Sequence, residues 1–410
     1  MKNNKLLSNT MYLYLLTIVK MLFPLVTLPY LTRILSVDAY GSVAYIKSYM
    51  SYVQLVIDFG FLLSATKDIA LVKGKNDEKI PYIVGDTFVE KIILLILSAG
   101  VTAVVSLFIP ILRENQLFTW LYFIAVGLTI FLPDYLYRGI ERMECVTIPF
   151  TASKAVSIIL TLVLIKNDSD LILIPIFEIV SNLIAVIISL SLLKKLNIAV
   201  KITGLKKWIA DLKASAVYFL SNFATTVFGA LTTLIVGVLL NEEDVAYWSV
   251  CMQIVSAAKA MYTPIANSIY PHMVTNNDLK LVRKIRNLMT IPMVIGTIAV
   301  MVFGEDIMVI IGGENYEYAG TILKFLLPVI VVSFYSMLYG WPVLGAINKV
   351  KQTTVSTVIA AVIQIIGILL IYVCSSFNLI SLAICCCVSE IALLIIRLII
   401  FKRNRKLFSN

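Results

Sequence analysis

The stretch DAYGSVAYIKSYMSYVQLVIDFG, residues 38–60, is one long apolar run with a lysine, Lys47, well inside it and an aspartate, Asp58, further on. An ammonium group at mid-membrane costs about 2.5 to 3.5 kcal/mol on insertion scales, so it normally faces a cavity or a partner and not lipid. Ser51, Gln54 and Asp58 follow Lys47 at helical intervals of four, three and four, which sets all four on one stripe of a helix. The stretch therefore reads as a membrane-crossing helix with one polar face.

The rest of the chain has the same character. It holds 410 residues, 60% hydrophobic and 14% charged, with a mean hydropathy of +0.94. So few charges cannot cover that much apolar surface in water, and an integral membrane protein is expected. Apolar runs long enough to cross a hydrocarbon core of roughly 30 Å recur near 10–35, 40–66, 87–109, 117–137, 147–165, 171–193, 214–240, 245–270, 289–312, 318–345, 354–374 and 377–401. The fold expected is all-α, with twelve transmembrane helices. The first run follows MKNNK without a small-residue cleavage site and reads as a retained helix. Cys145, Cys251, Cys374, Cys385, Cys386 and Cys387 lie in or beside the runs, where thiols act as small apolar side chains. With His272 the single histidine, neither a disulfide framework nor a metal site is expected, and no cofactor motif is present.

Alternate loops separate the basic residues. The N-terminus, 67–80, 138–146, 194–213, 271–288, 346–353 and 402–410 hold 24 Lys and Arg, and the other loops only Arg33, Arg113 and Lys166. Cytoplasmic loops carry the excess, so both termini are expected on the cytoplasmic side of the membrane. The net charge of +10 then belongs to that rim and needs no nucleic acid to explain it. Between runs six and seven, Leu205, Trp208, Ile209 and Leu212 share a helical face, with Lys206, Lys207 and Lys213 around the other sides. That pattern is expected of a helix lying on the membrane surface. Ala39, Tyr40, Ser42 and Val43 match Ala246, Tyr247, Ser249 and Val250 at an offset of 207 residues, about half the chain. Six crossings per half give both halves one orientation, related by a pseudo-two-fold axis along the membrane normal. The domains expected are a six-helix lobe at 1–200, an amphipathic linker at 201–213 and a six-helix lobe at 214–410.

Lys20, Lys47 and Lys259 lie on the order of 10 to 20 Å from their nearer helix ends at about 1.5 Å per residue, too far for easy snorkelling. Lys154 and Lys324 sit nearer an end and rank lower. Run eight carries a second polar face in Ser249, Gln253, Ser256, Lys259, Thr263 and Asn267. Two polar helices imply a wet cavity, or else helix contacts joined by hydrogen bonds. Asp134, Glu178 and Glu390 are candidates either for a coupling ion, H+ or Na+, or for counter-ions to a nearby lysine. Pro24 and Pro29 weaken regular helix in run one and are candidates for a gate or hinge. Tyr45, Tyr49 and Tyr52 crowd run two, as interface anchors or as platforms for sugar rings.

The stretch FPLVTLPYLTRILSVDAYGSVAYIKSYMSYVQLVIDFGFLLSATKDIA, residues 23–70, resembles the N-terminal signature of the bacterial oligosaccharide (Wzx-like) flippases. AYWSVCMQIVSAAKAMYTPIANSIYPHM, residues 246–273, is similar to that family's eighth span. The wider superfamily includes lipid-linked peptidoglycan precursor flippases and multidrug exporters. The resemblance implies a V-shaped, MATE-like pair of lobes that opens alternately to each face. Its substrate would be an undecaprenyl-diphosphate-linked oligosaccharide, turned over for cell-surface polysaccharide synthesis beside polymerase machinery and membrane lipids. It also implies diphosphate-binding cations at Lys20, Lys47 and Lys259, and a gate or counter-ion role at Asp38. Lysine in place of the arginine typical of the peptidoglycan branch keeps the charge and gives up the bidentate fork.

Two other readings would also give a polytopic, basic chain, and the second shares the architecture. A polysaccharide polymerase or ligase needs sizeable outer loops with catalytic groups, and the outer loops here are short. A cation-coupled drug exporter would favour acids over lysines in its cavity. No GxxxxGK[ST] motif is present, so this polypeptide is not expected to hydrolyse ATP, nor to be an enzyme.

Overall fold

The computed structural model describes residues 2–276 and 278–408, without the side chains of residues 2–7, 221, 227, 228, 267, 271, 275, 276 and 406. Every regular element among them is helical. In the first half these are α1 (Lys2–Ile34), α2 (Val37–Asp58), α3 (Phe61–Val72), α4 (Ile80–Phe108), α5 (Pro110–Glu114), α6 (Gln116–Leu128), α7 (Asp134–Gly139), α8 (Glu144–Leu164), α9 (Leu173–Lys195) and α10 (Leu205–Thr226). In the second half follow α11 (Thr232–Leu239), α12 (Glu242–Asn276), α13 (Leu279–Gly312), α14 (Glu317–Leu338), α15 (Val350–Val373) and α16 (Leu379–Asn404).

Among the described residues, nine helical segments are long and apolar enough to cross a bilayer, or ten if α10 and α11 are one bent span. The two expected spans outside that set fall on α2 and α12, which are 22 and 35 residues long. Length does not exclude them; their polar stripes lower their apolarity. Twelve crossings therefore require α2 and α12 to turn those stripes away from lipid.

Local sequence accounts for many helix ends. Ser36 accepts the Ala39 amide at 3.3 Å and starts α2, with Asp38 in the positive first turn. Asn378 caps α16 through the Ser381 amide at 2.8 Å, and Lys402 and Arg403 close its far end. α1 runs unbroken through Pro24 and Pro29, so the expected disturbance of run one does not interrupt the helix. The irregular backbone lies elsewhere: at Phe303 in α13 and in the wide turn Tyr339–Gly345, which contains Pro342.

The helices are inside-out relative to those of a water-soluble bundle. On α8 the buried positions include Ser153, Ser157 and Thr161, while Ile148, Ile159 and Val163 are exposed. On α4, Ser98, Thr102 and Ser106 are buried while Ile96, Val104 and Leu107 face outward. Small polar residues inside and branched apolar ones outside are what lipid-surrounded helices need, because hydroxyls lock helix contacts and lipid solvates the rest. All six cysteines are free thiols.

Two compact units divide the chain, Met1–Phe223 and Ala224–Asn410. In the first, α2 packs on α4 and α6, α6 on α9, and α8 on α9; in the second, α12 packs on α13 and α14, α14 on α16, and α15 on α16. Counted by expected span, the second, fourth, fifth and sixth members pair alike in both units, while the unit boundary after Phe223 falls inside expected span seven. The expected linker, residues 201–213, packs on the first unit, where Asp86 of α4 accepts from the Thr203 amide, the Thr203 hydroxyl and the Trp208 indole at 2.8, 2.9 and 2.9 Å.

The α2–α3 break turns on Phe59 and Gly60, with φ of 35° and 80°. A Cβ at Gly60 would sit 2.6 Å from Tyr218 Cβ and 2.9 Å from the Ser215 carbonyl, so both backbone sign and space demand glycine. Gly60→Ala should lower stability by about 2 kcal/mol or more. A melting curve of the detergent-purified variant that overlays the wild type would refute this.

Candidate functional site

α2 and α12 carry the expected polar stripes, and the structure shows which of their groups are engaged. Ser51 is exposed and donates to the Lys47 carbonyl one turn back at 3.0 Å. Gln54 donates to Asp58 at 2.8 Å and accepts the Thr129 hydroxyl at 3.0 Å. Asp58 pairs with Lys91 of α4 at 2.8 Å, and the Lys91 ammonium also lies 5.9 Å above the Tyr135 ring. On α12, Lys259 pairs with Glu390 of α16 at 3.1 Å, and the other Glu390 oxygen accepts the Ser336 hydroxyl at 3.2 Å. Gln253 is half-buried, while Ser256 and Thr263 are exposed. The Asn267 side chain lies outside the described residues.

Three of the acids singled out by sequence thus have lysine partners. Besides Asp58 and Glu390, Glu178 of α9 pairs with Lys154 of α8 at 2.6 Å and accepts from Ser157 at 3.4 Å. Lys154 therefore reaches an internal acid and does not snorkel. Lys324 likewise pairs with Glu305 at 2.7 Å. Asp134 opens α7 half-buried, with Arg138, Lys91, Lys20 and Asp58 as its charged neighbours.

Lys20 and Lys47 form no ion pair among the described residues. The Lys20 ammonium lies 5.2 Å from the centre of the Phe150 ring, with Asp134, Arg138 and Asp58 as its charged neighbours. Lys47 is half-buried, and the charges acting on it are Glu178 and Lys154. A pattern follows from these sets. Glu178 stands among Lys154 and Lys47; Glu390 among Lys259 and Arg397; Asp58 and Asp134 among Lys91, Lys20 and Arg138. Each set holds one cation more than it holds acids. A low-dielectric interior with surplus positive charge attracts an anion strongly, because its field is poorly screened there.

Sequence reasoning missed Lys91, Arg138 and Arg397. Arg397 is buried in α16 and donates to the Ser336 carbonyl at 2.6 Å, to Ser356 at 3.2 Å and to Thr357 at 3.0 Å. An arginine inside an apolar run was the available signal. Two tyrosines are corrected. Tyr45 and Tyr49 are packed in the core, Tyr49 donating to Thr102 at 3.0 Å, so neither ring is open to a sugar. Tyr52 is half-buried, its ring edge-on to Phe223. Asp38 is exposed in the first turn of α2.

A family model described as "Polysaccharide biosynthesis protein" matches residues 6–277, well over half of the chain. The chain belongs to that family. Among relatives of this chain is the Escherichia coli K12 protein named "Putative O-antigen transporter", 25% identical over 99% of both chains. A Shigella dysenteriae protein of the same name is 27% identical over 82% of this chain and 85% of its own. Among solved structures, the lipid II flippase MurJ in an inward closed conformation superposes with a TM-score of 0.71 at 12% identity, covering 97% of this chain and 87% of that one. An inward-facing multidrug resistance MATE family transporter of the MOP superfamily gives 0.69 at 11% identity, covering 96% and 94%. At such identities the likeness concerns the fold alone, and it establishes the MATE/MurJ architecture for this family member.

Proposed function

We propose that this protein is a flippase that turns undecaprenyl-diphosphate-linked oligosaccharide units from the inner to the outer leaflet of the bacterial cytoplasmic membrane by alternating access. The observation that carries this reading is the surplus of cations over acids in each set, including the two ammonium groups, Lys20 and Lys47, that form no ion pair among the described residues. A diphosphate headgroup is anionic and cannot cross hydrocarbon bare; fixed cations lower that barrier while the sugars stay wet and the polyprenyl tail remains in the bilayer. The names of the relatives support the same substrate class.

In this reading Lys20, Lys47 and Lys259 meet the diphosphate, and Ser51, Gln54, Gln253, Ser256, Thr263 and Asn267 keep the chamber polar. α2 and α12 complete twelve crossings, both termini lie in the cytoplasm, and Asp38 with the Pro24–Pro29 segment serves the outer gate. Energy enters through an ion gradient, the membrane potential or removal of the product, with Asp134 forming no lysine pair among the described residues and therefore the first candidate for the coupling ion. A cation-coupled drug exporter fits less well, since surplus positive charge repels cationic drugs.

The test is genetic. Deleting the gene should trap the lipid-linked repeat unit on the cytoplasmic side and abolish surface polysaccharide, and the wild-type gene should restore both. Completed polymer at the surface of the deletion strain overturns the reading, as does accumulation of unlinked repeats at the outer leaflet, which would mark a polymerase or ligase.

A further inference from the structure

Residues 201–211 are fastened to the start of α4 by more than chain connection. The Lys201 amide donates to the Pro81 carbonyl at 3.0 Å, and the Lys201 ammonium lies 5.4 Å from the centre of the Tyr82 ring. A Cβ at Gly85 would fall 2.0 Å from the Lys201 carbonyl, so the two backbones touch where only glycine fits. Asp86 then takes the three hydrogen bonds from Thr203 and Trp208 described above.

One turn deeper lies Glu90, 1% exposed, with its Oε1 buried and without a hydrogen-bond partner. The charges facing it are Asp86 of its own helix and Asp211 and Lys207 of α10. Lys207 is already paired with Asp211 at 2.5 Å. From α3, Asp68 faces the same Asp211 and Lys207, with Lys67 beside it. From α7 comes Tyr135, whose hydroxyl donates to the Val84 carbonyl at 3.2 Å. Lys91, next to Glu90 in sequence, is turned to Asp58. Acids thus outnumber cations around an orphaned carboxyl oxygen, the reverse of the balance in the three sets described above.

We propose that Glu90 is a proton-binding site that controls the clasp between the linker and α4. With the proton bound, Glu90 adds no charge beside Asp86 and Asp211, and the Asp86 bonds to Thr203 and Trp208 hold. Loss of the proton leaves three carboxylates facing one shared ammonium, and the strain is relieved by release of the linker strand. The clasp therefore weakens as pH rises. Because it holds the first turns of the helix that runs on to the unit boundary at Phe223, it ties the pH at that end of α4 to the freedom of that helix. The inference does not depend on what is transported.

Hydrogen exchange of the full-length protein in lipid nanodiscs tests it, with protection factors for residues 201–211 corrected for intrinsic rates. Wild-type protection should fall about tenfold or more between about pH 6 and pH 9, while Glu90→Gln holds it level. Asp86→Asn should lower protection at every pH, which calibrates the readout. Protection that is flat with pH in the wild type overturns the proposal, as does an E90Q profile that follows the wild type. Protection that responds to sodium at constant pH overturns it in favour of a metal cation. If E90Q does not accumulate, the wild-type titration alone decides.

Discussion

Lys47→Ala cuts export of the lipid-linked oligosaccharide about tenfold to a hundredfold and leaves the fold intact. A hydrogen bond to a charged group contributes about 1.5–3 kcal/mol, and removal of one from the bound headgroup translates into that factor. The fold survives because Lys47 engages no carboxylate among the described residues, so truncation orphans nothing. Lys47→Arg retains the charge and should retain most of the activity. Lys259 behaves differently. Its partner Glu390 has a side chain only 6% exposed, and Lys259→Ala leaves that carboxylate buried beside Ser336 without its cation, a destabilising change. The informative variant is Lys259→Met with Glu390→Gln, which removes the cation and the acid together. Loss of export in this pair with an unchanged melting temperature isolates the role of the ammonium; full export by Lys47→Ala combined with it would sink the cation hypothesis.

Arg397→Ala should unfold the second unit or lower its stability by roughly 3–5 kcal/mol, the upper class for a single substitution. Three partners on two other elements lose their donor at once: the Ser336 carbonyl, Ser356 and Thr357. Arg397→Lys should not rescue, because one ammonium cannot span three acceptors that the planar guanidinium reaches together. Gly340→Ala offers an independent check. Its Cβ would come 2.9 Å from Arg397 Nη1, so the guanidinium must shift and the same contacts loosen. Since Ser336 joins Arg397 to Glu390, both variants should also disturb the Lys259–Glu390 pair. Thermal unfolding in detergent checks stability; a wild-type melting temperature for Arg397→Ala refutes the assignment.

The membrane class was legible at once, because an apolar run of crossing length is a local property of the chain. The polar stripes of α2 and α12 were legible for the same reason: intervals of three and four report one helix face. Those stripes also make these two helices less apolar than the other crossing-length segments. The prolines of run one misled. Missing amides at Pro24 and Pro29 weaken a helix locally, but α1 continues through both, and the irregular turns settled at Phe303 and Gly340 instead.

Composition and periodicity by themselves determined that this chain is an all-helical membrane protein with lysines set inside apolar runs on two polar helices, since both depend only on neighbours within a few turns. Which acid answers which lysine was decided by tertiary structure alone. Lys154 and Glu178 are 24 residues apart, Asp58 and Lys91 33, and Lys259 and Glu390 131. No periodicity links positions so distant; helix packing brings them together, and the cost of burying an unpaired charge selects the arrangement in which they meet. The same packing left Lys47 without an ion pair among the described residues.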